Sequence, residues 1–381
     1  MSSDVRIQLA EALPSVIQFF LTYVTGYPIP GSKPLWTTTP VQETVGTAVW
    51  LLASVFACAW CWTIGDWWIG LVPILWLHTI GAARKSLAQI IHYAIHNRLM
   101  GSRLMNRLVG EIFSTILFLQ PFDEYQPEHG GSHHGDDFAT LKDPDVQLLL
   151  MLGFKPGMSR RQLWRQLRRV SLSPLFILKF TKTRLISNFW NARNYRKWMS
   201  FIWLLCVSGV VYWFDCWTSF FVAYLIPIIV LYPVSALFQF VSEHQWLCRN
   251  DNQSFLDEHK RLSWGRFLAD PVPNRNLPLW KRYTAWARWW LRLFFVHLPI
   301  RIAVLPGDLS QHDYHHRNPA SRDWPIARYA RSRDIEQNHH AIPYRDIWGL
   351  ANAIDTVFEG LSRAKAITGA ESFDNDLVLG M

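Results

Sequence analysis

Residues Trp67 to Asn97 read WWIGLVPILWLHTIGAARKSLAQIIHYAIHN. Residues 67 to 83 are apolar and about long enough to cross the roughly 30 Å of bilayer hydrocarbon. Arg84 and Lys85 then mark a surface, and a second apolar stretch ends on His92 and His96. Taken as one helix, these thirty-one residues run about 46 Å, so both histidines project past the membrane. At a spacing of four they share one helix face, about 6 Å apart at Cβ. The stretch therefore predicts a membrane helix that carries polar, metal-competent side chains beyond its end.

The rest of the chain fits that reading. Half of its 381 residues are hydrophobic, 21 are Trp and 23 Phe, and the apolar residues lie in blocks; this is the composition of an all-α membrane protein. Residues 45 to 62 precede the opening stretch, and only Thr63, Ile64, Gly65 and Asp66 separate the two, so they form a transmembrane hairpin. Residues 198 to 214 and 218 to 240 repeat the arrangement around Asp215, Cys216 and Trp217. Neither turn holds Lys or Arg, whereas residues 155 to 197 hold twelve. The positive-inside rule then puts both turns outside and the basic segment in the cytoplasm. The net charge of +9 and pI near 9.4 fit anionic lipid, and no nucleic-acid motif accompanies them.

The remaining apolar stretches read as interfacial. Residues 108 to 122, with Glu111 near the start and Pro121 near the end, are short for a crossing. Residues 286 to 306 space Arg288, Arg292 and Arg301 through an aromatic surface, the pattern of a helix in the headgroup plane. Residues 1 to 44 read as an N-terminal interfacial helix followed by a loop, with no convincing cleavable signal. Residues 45 to 345 form one membrane domain without internal repeats. Residues 346 to 381 are expected to form a C-terminal helix and a disordered tail.

Nine of the fourteen histidines fall in four clusters: His92 and His96; His129, His133 and His134 in EHGGSHH; His244 in SEHQW; and His312, His315 and His316 in HDYHH. Nine imidazoles exceed what one ion takes and suit a pair of ions with four or five nitrogens each. Adjacent pairs, His133/His134 and His315/His316, point roughly 100° apart on a helix and can reach different ions. All four clusters lie on the predicted cytoplasmic side, so the fold is two hairpins under a helical cap with a dimetal site. A lone histidine near a helix end is usually a surface or capping residue, and His78, His259 and His297 are read so. His339 and His340 are expected to be interfacial.

Other metal chemistries do not match. A zincin needs HExxH, and the first cluster is HYAIH. Di-haem membrane cytochromes hold histidines within the spans, and copper sites recruit Cys or Met, which these clusters lack. Cys58 and Cys61 form a CxxC inside an apolar run, and the five cysteines make no disulfide framework. Two non-enzymatic readings stay open: a metal transporter, and a metal-dependent structural protein.

Three histidine boxes plus one isolated histidine, interleaved with two hairpins, resemble the integral-membrane fatty acid desaturase and hydroxylase superfamily of non-haem diiron enzymes over roughly residues 45 to 345. EHGGSHH, VSEHQW and QHDYHHRNP also resemble motifs of membrane alkane hydroxylases. The first box lacks the acidic residue that follows the leading histidine in many members. The resemblance implies two Fe ions held by His92, His96, His129, His133, His134, His244, His312, His315 and His316, with O2 as co-substrate. It implies oxidation of an unactivated C–H bond in a lipid acyl chain, by desaturation, hydroxylation or oxidative decarboxylation, with desaturation favoured. Glu128, Glu243, Asp136, Asp308 and Asp313 are candidates for orienting the imidazoles. The sequence has no HPGG haem signature, no paired CxxC and no strand-borne GxGxxG. The resemblance therefore implies a separate electron donor, a ferredoxin, rubredoxin or cytochrome, docking on the basic face.

Overall fold

The computed structural model describes residues 4–250, 252–337 and 340–364. His339 and the expected disordered tail lie outside the described residues. Those described are mostly helical, and the only strands among them, Gly265–Phe267 and Asp346–Trp348, form a three-residue parallel pair.

Two helices are long and apolar enough to cross a membrane, Pro40–Ile64 and Trp217–Phe240, where spans were expected at 45–62 and 218–240. Thr39 caps the first by accepting from the Gln42 N–H, with Pro40 at the first helical position, where its missing N–H costs nothing. Along this helix Val41, Val45, Val49, Leu52, Phe56, Trp60 and Ile64 are all exposed. Their spacing makes one apolar stripe down the whole helix, a surface that lipid covers at little cost and water does not. The second helix contains Pro227, which cannot donate a backbone hydrogen bond. The chain absorbs it as a π-helical stretch, Phe221–Leu231.

The stretch from Trp67 begins differently from the expected helix. Residues Asp66–Leu71 form a tight 3-10 turn, and the α-helix starts at Val72. It then continues through Lys85, a π-helical segment Ser86–Ile91, and His92–Ile95. Gly65 and Asp66 turn the chain back with φ of 77° and 47°, conformations open to Gly and tolerated by Asp. The returning helix runs antiparallel to Pro40–Ile64: Ser54 accepts from Thr79 (3.2 Å), and Lys85 pairs with Glu43 (2.5 Å). Trp76 donates to Val222 O (2.8 Å) and Thr63 meets Ser219 (3.0 Å), which brings the helix Trp217–Phe240 against both.

A helix at Asn194–Trp213 occupies the position expected at 198–214. It packs on the amphipathic helix Arg103–Ile116, which replaces the short apolar stretch expected at 108–122. Arg196, fully buried, reaches from the first to the backbone O of Glu111 (2.8 Å) and its carboxylate (3.1 Å). Residues 286–306 are helical as expected, through Leu279–Arg292, Leu293–His297 and Leu298–Ala303. Arg301, expected on an aromatic surface, is instead buried. It donates to the carbonyls of Tyr23 and Gly307 and to Ser310, which supplies a donor to backbone groups at a helix end and in a loop that would otherwise lack one.

The largest apolar core lies around the histidines rather than between the long helices. Phe138, Phe154, Leu163, Leu167, Trp246, Trp264, Val357 and Phe358 belong to it. The helix Leu350–Arg363 thereby joins the basic helix Arg160–Ser171 to the segments that carry the histidines.

Candidate metal centre

Four segments bring the nine clustered histidines together. The π-helical segment Ser86–Ile91 ends at His92, and His96 caps the following turn. EHGGSHH lies on a second π-helical segment, Gln126–His133, with His134 at its end. Such segments widen the turn to an i, i+5 repeat, and the His134 N–H accordingly donates to His129 O (3.0 Å). His134, five residues on, then meets His129 through Nε2, while His133, four residues on, stacks on it with ring centroids 4.9 Å apart. His244 lies just past the helix Trp217–Phe240, fixed by a bridge to Ser263 and by Nδ1···Oγ contact with it at 3.1 Å. The last three histidines sit on the short helix His312–Arg317.

The nine imidazoles form two groups. His92, His96, His129, His134 and His315 offer nitrogens all within 4.8 Å of one another, and so do His133, His244, His312 and His316. In the first group Nε2 atoms face each other: His92 to His315 at 2.8 Å, His134 to His129 at 3.2 Å, and His315 to His134 at 3.2 Å. In the second, His316 and His312 approach at 3.1 Å. Nitrogens bound about 2.1 Å from one ion at right angles would stand roughly 3 Å apart. His96 Nε2 and His244 Nε2, one in each group, are buried with no hydrogen-bond partner, a costly state that a bound cation removes. The donor set thus fits two metal ions.

Electrostatics favour the same occupants. Burial holds His96 down to about 4, and burial with neighbouring imidazoles keeps His92, His129, His134, His244, His312, His315 and His316 well below the usual range. They are neutral, with lone pairs available for a cation. His133 is the exception. Burial opposes its charging, but the Asp143 hydrogen bond and the charge of Asp145 outweigh burial and raise it to about 9. His133 Nδ1 lies 3.3 Å from Asp143 Oδ2 and 3.2 Å from Asp145 Oδ2. Asp143 is itself held by the N–H groups of Ala139 (2.9 Å) and Asp145 (3.0 Å). A carboxylate at Nδ1 fixes the ring and leaves Nε2 for an ion.

Neither Asp143 nor Asp145 was legible as a histidine partner in the sequence, since only the fold brings them to His133. Of the five acids suggested by sequence, Glu243 approaches a histidine, with its carboxylate 4.0 Å from His312 Nε2, and burial raises it to about 7. Asp308 acts one residue removed: it accepts from Tyr93 OH (2.7 Å), whose ring packs edge-on to His92 and His315. Asp313 is buried against Arg331 (2.7 Å), anchoring the last histidine helix. Glu128 accepts from Gln120 (2.6 Å) instead of a histidine, and Asp136 is exposed.

The surface reading of the lone histidines needs correction. His297 is buried 3.5 Å from Asp270, and His78 is half-buried, accepting from Trp50 Nε1 (3.1 Å). His259 is buried beside His134 and His316, stacked on Phe138 with ring centroids 3.9 Å apart. Its two nitrogens lie 2.8 Å from Phe255 O and 3.0 Å from His133 O. His259 supports the EHGGSHH segment through the His133 carbonyl, and one of its nitrogens lies within 4.8 Å of those of His134 and His316. The helix Phe255–Leu262 that carries it is strongly amphipathic, and that pattern was the available signal.

A cavity of about 200 Å³ reaches both groups. His92, His129, His133 and His312 stand at its wall, and Leu148, Leu152, Phe176, Phe180, Pro233 and Leu237 supply an apolar surface. The fatty acid desaturase family model matches residues 66–348, which takes in all nine histidines and this cavity. The chain belongs to the fatty acid desaturase family. No curated protein and no solved structure matches it. Membership in this family of lipid oxidoreductases accounts for an apolar pocket ending on paired imidazole groups.

Proposed function

We propose that this desaturase-family chain oxidises an unactivated C–H bond of a lipid acyl chain with O2 at a diiron site, and that the reaction is desaturation. The carrying observation is the division of nine histidines into groups of five and four at the wall of one apolar cavity. His92, His96, His129, His134 and His315 would hold one iron, and His133, His244, His312 and His316 the other. Iron bound there supplies the reductive activation of O2. The chain's own residues do the rest. Phe176, Phe180 and Leu237 hold a methylene in place and exclude water, while Asp143 and Asp145 fix the His133 ring.

Both hairpins would turn on the outer side at Asp66 and Asp215, with the histidines on the cytoplasmic side. Arg161, Arg165, Arg168 and Arg169 are exposed on the helix Arg160–Ser171 and would dock a separate acidic electron donor.

The test is product analysis with purified protein, a saturated acyl substrate, O2 and a reducing partner, alongside metal analysis. An alkene of unchanged carbon number supports desaturation. An 18O-labelled alcohol, or a product one carbon shorter, replaces it with hydroxylation or decarboxylation. Turnover without O2, or zinc in place of iron, overturns the whole reading.

A further inference from the structure

The histidine cavity has a cationic side chain that no metal chemistry uses. Arg84 is 2% exposed and lines the cavity with His92, two helical turns further along the same helix. Of its five N–H donors, one meets Tyr232 OH (3.3 Å) and one meets Gln239 Oε1, which leaves three. Nε is buried with no partner. No carboxylate lies within ion-pair distance of it among the described residues. Arg184 approaches the same tyrosine and is half-buried: its guanidinium is 4.6 Å from the Tyr232 ring centre and 4.3 Å from that of Phe180, with no acid within ion-pair distance among the described residues.

Arg84 is thus a buried charge whose direct hydrogen-bond partners are both neutral, an unfavourable arrangement. The acids of the cavity are already engaged. Asp145 faces His133, and Glu243 accepts from Gln239 and lies 3.9 Å from Arg266. Glu243 reaches Arg84 only through Gln239, so the carboxylate of a ligand in the cavity would give Arg84 its direct counter-charge. The planar fork of arginine matches a carboxylate, and the apolar wall beside it fits a hydrocarbon chain.

We infer that Arg84, backed by Arg184, binds the carboxylate of a free fatty acid, so that the substrate is the unesterified acid. This rests on the reading of the cavity as an acyl pocket. Arg84 and His92 are separated by about 12 Å of helix rise. The acid would therefore be gripped at one end of the cavity and attacked further along its chain.

The test is equilibrium binding of tritiated palmitate, palmitate methyl ester and hexadecanol to the detergent-purified, metal-loaded protein. The expected result is that the acid binds about tenfold or more tighter than the ester or alcohol, the worth of a charge-assisted hydrogen bond. That preference should vanish in Arg84→Gln and survive in part in Arg84→Lys, with metal content unchanged. Equal affinity of the wild type for acid and ester overturns the inference without any variant having to fold, and so does an undiminished preference in Arg84→Gln. Tight binding of ester and alcohol with no preference would spare the acyl pocket. Failure of all three to bind would remove the acyl pocket and this inference together.

Discussion

His129 and His134, five residues apart, meet through their Nε2 atoms at 3.2 Å, whereas His133, four residues from His129, belongs to the other imidazole group. An α-helix would place residues four apart on one face. The π-helical segment Gln126–His133 shifts that register by one. Gly130 and Gly131 stand in open space within this segment, with nothing within 4 Å of a would-be Cβ. The wider turn therefore lets His134 as well as His133 lie beside His129, while His133 also joins His244, His312 and His316.

Removing one residue from this segment, as in deletion of Gly130, should restore an ordinary four-residue turn and exchange which histidines face which group. The expected outcome is loss of bound metal with helical circular dichroism retained. Full metal content in the deletion variant would show that the π register does not sort the ligands.

Single ligand changes should act on one group at a time. His96→Ala and His244→Ala each remove the nitrogen that has no protein partner, one from each group, and each should lower iron content and abolish turnover. His78→Ala and His297→Ala should keep their iron, since neither imidazole belongs to a group. Metal analysis of the four variants checks this, and normal turnover in His244→Ala would remove that residue from the site.

Much of this site was legible in the sequence, for a physical reason. Metal ligation needs specific atoms, so histidine spacing survives as a pattern, and a membrane span leaves an apolar block of fixed length. The partners of those histidines leave no such trace. Asp143 and Asp145 lie ten and twelve residues beyond His133 in an ordinary turn sequence, and only the chain reversal at Gly135–Thr140 returns them. His259 looked like a helix-end residue because its role depends on Phe138 and the His133 carbonyl, both more than a hundred residues away. Register was likewise hidden: nothing in SLAQII or QPEHGGSH announces a π-helical turn.

Asp143→Asn should weaken metal binding without removing a ligand. The amide keeps the shape but loses the charge that holds His133 Nδ1, and losing such a partner costs roughly 10–100-fold in metal affinity. Iron titration of the apoprotein measures this. An unchanged affinity would leave Asp143 only its hydrogen bonds to the Ala139 and Asp145 backbone.

Arg331 is buried between Asp313 and Asp346, at 2.7 Å and 2.6 Å, so it ties the last histidine helix to the strand Asp346–Trp348. Arg331→Ala would leave Asp313 charged, buried and unpaired beside His312, at a cost of about 3–5 kcal/mol. A clear fall in the detergent thermal midpoint is expected, smaller in the double variant Arg331→Ala, Asp313→Asn. Equal losses in single and double variants would show that the ion pair is not what stabilises this corner.

The topology can be read by cysteine labelling in whole cells or sealed vesicles. The turns at Asp66 and Asp215 both take left-handed φ, 47° and 46°, and neither carries a basic residue. Five exposed arginines instead lie on Arg160–Ser171, which an anionic inner leaflet would attract if the proposed orientation holds. Single cysteines at 66 and 215, in a background where native Cys206, Cys216 and Cys248 are replaced because they are not buried, should react with an impermeant reagent from outside. Cysteines at 165 and 319 should react only after permeabilisation. Labelling of position 319 from outside would put HDYHH across the bilayer from the basic helix. The grouping of His315 with His92 and His134 inside one water-poor site could not stand with that result.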